Sequence, residues 1–98
     1  SMTKYKLQVT GNFKQDVKRC KKRGLPLQEL WDVVEMLLCG ETLPVKFHVH
    51  RLHGNHADEW ECHIRPDWLL VWEQHDDELI LLFTNTGSHS DVFGKNKK

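Results

Sequence analysis

Cysteine is scarce: Cys20, Cys39 and Cys62 are an odd number, widely spaced, with no CxxC pair. A small secreted scaffold held by disulfides would carry a denser, even set. The expectation is a reduced, cytoplasmic chain whose thiols are buried or half-buried. No apolar run nears the roughly 20 residues that cross a bilayer. The longest, such as Leu79–Phe83, have the length of a strand, and no signal-peptide pattern opens the chain. Net charge is lacking too, with Lys plus Arg at 14 and Asp plus Glu at 14. That excludes a surface basic throughout and leaves room for a local basic patch. Phosphate loop, dinucleotide glycine fingerprint and nucleophile elbow are absent, as are internal repeats and low-complexity segments. What is present is a globular mixture, 39% hydrophobic and 29% charged over 98 residues, which is material for one domain. Ser1 ahead of Met2 reads as a remnant of tag cleavage and is set aside.

Tyr5–Thr10 alternates apolar and polar residues at Tyr5, Leu7 and Val9, the period of a half-buried strand. Asn12 is the expected N-cap of a first helix, with Gln15 completing a capping-box-like pattern. Phe13, Val17 and Cys20 give that helix a narrow apolar stripe, and Gly24 ends it. Pro26 suits the first turn of a second helix, along which Leu27, Leu30, Trp31, Val34, Leu37 and Leu38 recur at spacings of three and four until Gly40. Glu41–His56 reads as a polar connection with a brief extended piece around Phe47–Leu52. Strands are predicted over Trp60–Arg65, Trp68–Glu73 and Glu78–Thr84, separated by turns at Pro66-Asp67 and His75-Asp76-Asp77. The last two strands are apolar nearly throughout, so one should lie centrally under the helices. Gly87–Gly94 reads as a short polar tail, frayed from Gly94 onward. The order implies an α+β fold, two helices on one face of a mainly antiparallel sheet of about four strands.

Histidine is the compositional oddity. Of seven, His48, His50, His53, His56 and His63 fall within sixteen positions. A structural zinc site wants closed four-ligand geometry; these irregular spacings, without a cysteine pair, do not supply it, and no metal is expected. A hairpin around Pro66 would instead bring His63 and Asp67 together, and His50 and His89 add imidazoles to any shared cleft. Imidazoles beside a carboxylate are what proton transfer at neutral pH requires. Each residue alone also has a plainer reading, as a solvated loop histidine or a turn-forming Asp. The run Lys18, Arg19, Lys21, Lys22, Arg23, broken only by Cys20, is either a solvated helix end favoured by the helix dipole or a phosphate-contacting patch.

Phe13–Leu38 (FKQDVKRCKKRGLPLQELWDVVEMLL), His50–Gly54 (HRLHG), Glu61–Leu70 (ECHIRPDWLL) and Thr86–Phe93 (TGSHSDVF) together resemble the YafQ branch of the RelE-type bacterial toxins, in order and over nearly the whole chain. The resemblance implies a microbial ribonuclease-like α+β fold and an endoribonuclease that cuts messenger RNA in the ribosomal A site. It also implies a DinJ-like antitoxin as partner, a small DNA-binding protein through which alone operator DNA would be reached. His50, His63, Asp67 and His89 occupy the places of the family's catalytic set, and Phe93 that of its C-terminal aromatic. The implied reaction is attack of a ribose 2′-OH on the adjacent phosphate, leaving a 2′,3′-cyclic phosphate without a metal or other cofactor. His50 or Asp67 stands nearest the base role, His89 the leaving-group acid and His63 the support of charge. One departure matters: where the family reads Arg-Thr-Gly-Ser-His, this chain has Asn85-Thr86-Gly87-Ser88-His89. An amide replaces a charged bidentate fork, and loss of one such group typically costs on the order of 10²–10³ in rate. The alternative is therefore a catalytically silent homologue, an antitoxin-binding module and transcriptional co-regulator. No role is read for His48, His53, His56 or His75 beyond solvation.

Overall fold

The computed structural model describes residues 3–52 and 58–94; Ser1, His53, Gly54, His56 and the tail 95–98 lie outside the described residues. The elements run β1 (Lys6–Val9), α1 (Gly11–Lys22), α2 (Leu27–Leu38), a 3-10 turn (Val45–Phe47), β2 (His50–Arg51), β3 (Glu59–Arg65), β4 (Trp68–His75), β5 (Ile80–Gly87) and α3 (His89–Phe93). The strands form one sheet ordered β1-β5-β4-β3-β2. Its pairs are antiparallel except β1 with β5, which run parallel. The α+β class holds. The sheet has five strands rather than four because the brief extended piece at His50–Arg51 pairs with Glu61 and Trp60.

One face of the sheet is sealed by the two long helices. Phe13 and Cys20 from α1 and Leu30, Val33, Val34, Leu37 and Leu38 from α2 join Cys62, Ile64, Trp68, Leu70, Trp72, Leu81 and Phe83 in one buried cluster. β4 is central in the sheet, as its apolar run requires. Two expected core positions stay partly outside. Leu7 is 50% exposed on the edge strand β1, and Trp31 is 40% exposed beside an apolar stripe already filled by its neighbours. Cys20 and Cys62 are buried, and Cys39 is half-buried with its Sγ 3.5 Å from the Glu35 carboxylate. Among the described residues no helix is long and apolar enough to cross a membrane.

Local chemistry explains where the boundaries depart from the periodicity. Thr10, not Asn12, caps α1: its hydroxyl accepts the Phe13 N–H at 3.0 Å. Asn12 donates instead to the Thr84 carbonyl at 3.0 Å. Thr84 is the extra residue of a bulge, since Val71 pairs with Asn85 while Trp72 pairs with Phe83. Pro26 sits at the N-cap of α2, one residue ahead of the first turn. β5 begins two residues late because Leu79 takes a left-handed turn conformation, φ 54°. It also continues through the polar Thr84–Gly87, whose backbone pairs with Leu69, Leu70 and Val71.

The expected polar tail is in fact a third helix, lying on the other face of the sheet. Val92 packs there against Leu69 and Val71. Ser88 starts it with a capping box: the Ser88 hydroxyl accepts the Asp91 N–H at 3.1 Å, and the Asp91 carboxylate accepts the Ser88 N–H at 2.9 Å. Gly87, at φ 149°, is required in that turn, because a Cβ would lie 2.6 Å from the Asp91 carboxylate.

Beneath α3 the fully buried Thr86 hydroxyl accepts the Trp68 indole N–H at 3.0 Å and donates to the Leu69 carbonyl at 2.7 Å. Thr86→Val keeps the shape and removes the hydroxyl from both the Trp68 N–H and the Leu69 carbonyl. The expected loss is about 1–3 kcal/mol, the cost of unpaired buried polar groups, read as a lower urea midpoint at unchanged slope.

Candidate active site

Strand alternation loads the face opposite the long helices. On β3, Cys62 and Ile64 belong to the core beneath the helices, while Glu61 and His63 point the other way. Register extends one row across the sheet from His50 to Glu61, Val71 and Asn85, and a second from His63 to Leu69 and Gly87. The hairpin turn at Pro66-Asp67 then lies beside the start of α3.

There Asp67 takes hold of His89 twice. Its Oδ1 accepts the His89 backbone N–H at 2.8 Å and meets His89 Nδ1 at 2.6 Å. These two bonds hold the Asp67 carboxyl below the usual carboxylate range. A carboxylate can only accept, so Nδ1 carries the proton and Nε2 is left free.

His63 lies at the centre of the histidines. Its ring centroid is 5.6 Å from that of His48, 6.3 Å from His50 and 5.6 Å from His89. His50 is fixed on both sides: Nδ1 lies 2.8 Å from the His48 carbonyl and Nε2 lies 3.1 Å from Glu61 Oε1. The carbonyl can only accept, so Nδ1 is protonated, and a hydrogen bond at Nε2 needs one further proton shared between imidazole and carboxyl. Glu61 also reaches His63 Nε2, at 3.8 Å. Burial raises the Glu61 carboxyl above its ordinary value against the pull of His50 and His89, and its Oε2 is buried without a hydrogen-bond partner among the described residues.

The geometry thus brings together His50, His63, Asp67 and His89. Asn85 shares their sheet face, about 10 Å from Glu61 at two strand spacings. Phe93 sits one turn beyond His89 on α3 and is half exposed. Sequence reasoning missed two members. Glu61 was legible from the i, i+2 spacing to His63 on one strand. His48 had no local signal, since it reaches the site through a left-handed backbone conformation, φ 49°. His75 lies elsewhere, paired with Glu73 at 3.1 Å.

The basic run divides by helix face. Arg19 pairs with Asp16 at 2.9 Å, and Arg23 with Asp91 at 2.6 Å. The Arg23 guanidinium and the Ser88 bonds hold the Asp91 carboxyl down at about 2. Lys18, Lys21 and Lys22 are exposed. Arg23, at the C-cap of α1, therefore fastens α3, and with it His89, to that helix, whereas the Arg19–Asp16 pair lies within α1.

By fold and site this is a small α+β protein with an acid–base cluster on the open face of its sheet, suited to proton-transfer chemistry. The chain belongs to the YafQ family of bacterial toxins of type II toxin-antitoxin systems, whose sequence model matches residues 5–94. It is 29% identical to the mRNA interferase toxin YafQ of Escherichia coli K12, over 90% of this chain and 95% of that one. Its structure resembles YafQ in the E. coli DinJ-YafQ toxin-antitoxin complex, with TM-score 0.86 and 28% identity over 93% of this chain and 99% of that one. It also resembles a metal-bound toxin from Helicobacter pylori, with TM-score 0.85 and 35% identity over 94% and 100% of the two chains. Among the described residues no three His, Cys, Asp or Glu side chains are placed to hold a metal ion. His50 and Glu61 are turned on each other, not on a common point.

Burial holds the His63 imidazole below its ordinary 6.5, and repulsion from His89, His48 and His50 adds to the effect. The unfolded chain takes that proton at the ordinary value and the folded chain only at lower pH. The residue's share of stability is therefore full above about pH 6.5 and lost progressively as pH falls toward the depressed value. His63→Gln should shrink the stability loss between about pH 7 and pH 5, measured by urea unfolding. Parallel slopes for parent and variant would refute this.

Proposed function

We propose that this chain is a ribosome-dependent endoribonuclease that cleaves message in the A site, and that a DinJ-like antitoxin neutralises it. The single observation that carries the reading is the Asp67–His89 pair facing His63, His50 and Glu61, drawn from separate stretches of chain. Family membership and the E. coli relative named as an mRNA interferase support the activity. The E. coli complex with DinJ supports the partner.

The chemistry divides across the cluster. In the form that has given up its shared proton, the His50–Glu61 pair takes the proton from the ribose 2′-OH as the oxygen attacks phosphorus. His89, held by Asp67 at Nδ1 and acting as the imidazolium with a second proton on Nε2, gives that Nε2 proton to the departing 5′-oxygen, and a 2′,3′-cyclic phosphate remains. Asp67, committed to His89, is a positioning residue rather than the base. His63, neutral at pH 7 between the two, offers a ring N–H to a phosphate oxygen.

Asn85 leaves the phosphate without the family's guanidinium, so attenuated cleavage is part of the proposal. Asn85→Arg should raise cleavage of ribosome-bound message by about 10²–10³-fold. His89→Ala in that background should lower it by about 10²–10⁴-fold, the weight of a general acid. If Asn85→Arg stays inert and His89→Ala changes nothing, the silent antitoxin-binding homologue is the correct reading.

The exposed lysines of α1 supply the contact with ribosomal phosphate. Lys21→Glu with Lys22→Glu should weaken ribosome binding and flatten its salt dependence by about two phosphate contacts. An unchanged salt slope would leave that face as solvated surface.

A further inference from the structure

Beside the histidines lies a cavity of about 680 Å³ lined by Lys46, Phe47, His48, His63, Arg65 and Pro66 among others. It opens on one side of the cluster: His48, His50 and His63 wall it, and His89 is not among its lining residues.

Its shape follows from the 3-10 turn. The Phe47 N–H bonds back to the Pro44 carbonyl at 3.0 Å, and the His48 N–H to that of Val45 at 2.9 Å. This turn sets the Phe47 ring, half-buried against the core, next to the reversal at His48. Phe47, Ile64 and Pro66 supply flat apolar surface, and the imidazoles of His48 and His63 stand 5.6 Å apart, centroid to centroid. Two cations mark the rim. Lys46 Nζ lies 5.2 Å from the centre of the Phe47 ring, and Arg65 is anchored by a two-pronged pair with Glu29 at 2.8 and 2.7 Å.

An aromatic ring and imidazoles beside cations suit an unstacked base with its phosphate. We infer that this cavity seats the nucleobase of the nucleotide 5′ to the cleaved bond, stacked on Phe47, with Lys46 on a neighbouring phosphate. The side follows from the walls. The cavity adjoins His50, which takes the 2′-OH proton of the 5′ nucleotide, whereas His89, which serves the leaving group, is not among its lining residues. The inference rests on the ribonuclease reading for that assignment.

The test uses the whole chain and a non-cleavable trinucleotide whose reacting ribose lacks its 2′-OH, with binding followed by NMR. The intact probe should shift the resonances of Phe47, Ile64 and Lys46. Removing the base 5′ to the blocked bond should weaken binding by about 5- to 100-fold, the usual range for one stacked base, and abolish those shifts. Removing the base 3′ to it should leave them in place. Phe47→Leu should reproduce the loss for the intact probe, and Phe47→Trp should restore affinity. Equal affinity for the intact and 5′-abasic probes, or a loss confined to the 3′-abasic probe, overturns the inference even if Phe47→Leu does not fold. Cleavage of ribosome-bound message by Asn85→Arg is scored separately. A ribonuclease with no base dependence at Phe47 sinks the pocket alone, whereas base-dependent binding with no cleavage sinks the ribonuclease reading alone.

Discussion

The two-residue period of strand β3 is the constraint on which the rest of the molecule depends. Because α1 and α2 seal one face of the sheet, Cys62 and Ile64 must point into the core. Glu61 and His63 are thereby delivered to the opposite face. A register slip of one residue would put a carboxylate and an imidazole into hydrocarbon and two apolar side chains into water. Apolar burial therefore fixes the placement of the acid–base groups, although the groups themselves contribute little to that burial. The same constraint carries across the sheet through Val71 to Asn85 and through Leu69 to Gly87.

The second requirement is that α3 stay in place, and at five residues it is too short to hold itself. Its attachment is electrostatic and local. Asp91 closes the capping box with Ser88 and receives Arg23 from α1, while Asp67 receives the first helical N–H of α3 together with the His89 ring. Asp16, buried on the inner side of α1, accepts the Thr86 N–H at 3.1 Å and so ties that helix to the strand leading into α3. A segment read from sequence as basic surface is therefore half structural. Its Arg23 stabilises the position of a histidine far along the chain, and its lysines stay turned to solvent.

Much of this was legible in advance. The apolar stripes of Phe13–Cys20 and Leu30–Leu38 place the two long helices, the β3–β4 hairpin places the middle of the sheet, and the turn at Pro66 alone suggests that Asp67 approaches the histidines. What escaped has physical reasons. The extended piece around Phe47–Leu52 was expected, but the strand within it, β2, is two residues long and defined only by its partner, so no periodicity could announce its pairing. The polar end of β5 breaks the apolar run, and it continues the strand because the Thr84 and Thr86 hydroxyls find cross-strand carbonyls. The helix α3 did leave a signal, the Ser88-to-Asp91 capping spacing, but its apolar content is too small to show a helical period. Glu61 escaped because a glutamate at the head of a strand is ordinarily solvated, and only the three-dimensional site makes it a buried partner of His50.

On the ribonuclease reading, the distribution of charge at the site sets what this chain can and cannot do with a phosphate. Asp67 is committed to His89, Glu61 is pushed toward its neutral form by burial, and His63 is pushed toward its neutral form by burial and by its neighbours. The cluster is thus poised to move protons but holds little permanent positive charge. A guanidinium at position 85 would supply such charge at any pH, from a row of the sheet that already points at the site. With Asn85 there, attraction for the phosphate falls to imidazolium ions and to lysines outside the cluster. Imidazolium is a charge that histidine gives up as it performs base chemistry. Binding the phosphate and taking the 2′-OH proton then compete for the same groups, and that competition, rather than any defect in the proton-transfer geometry, is the physical content of attenuation.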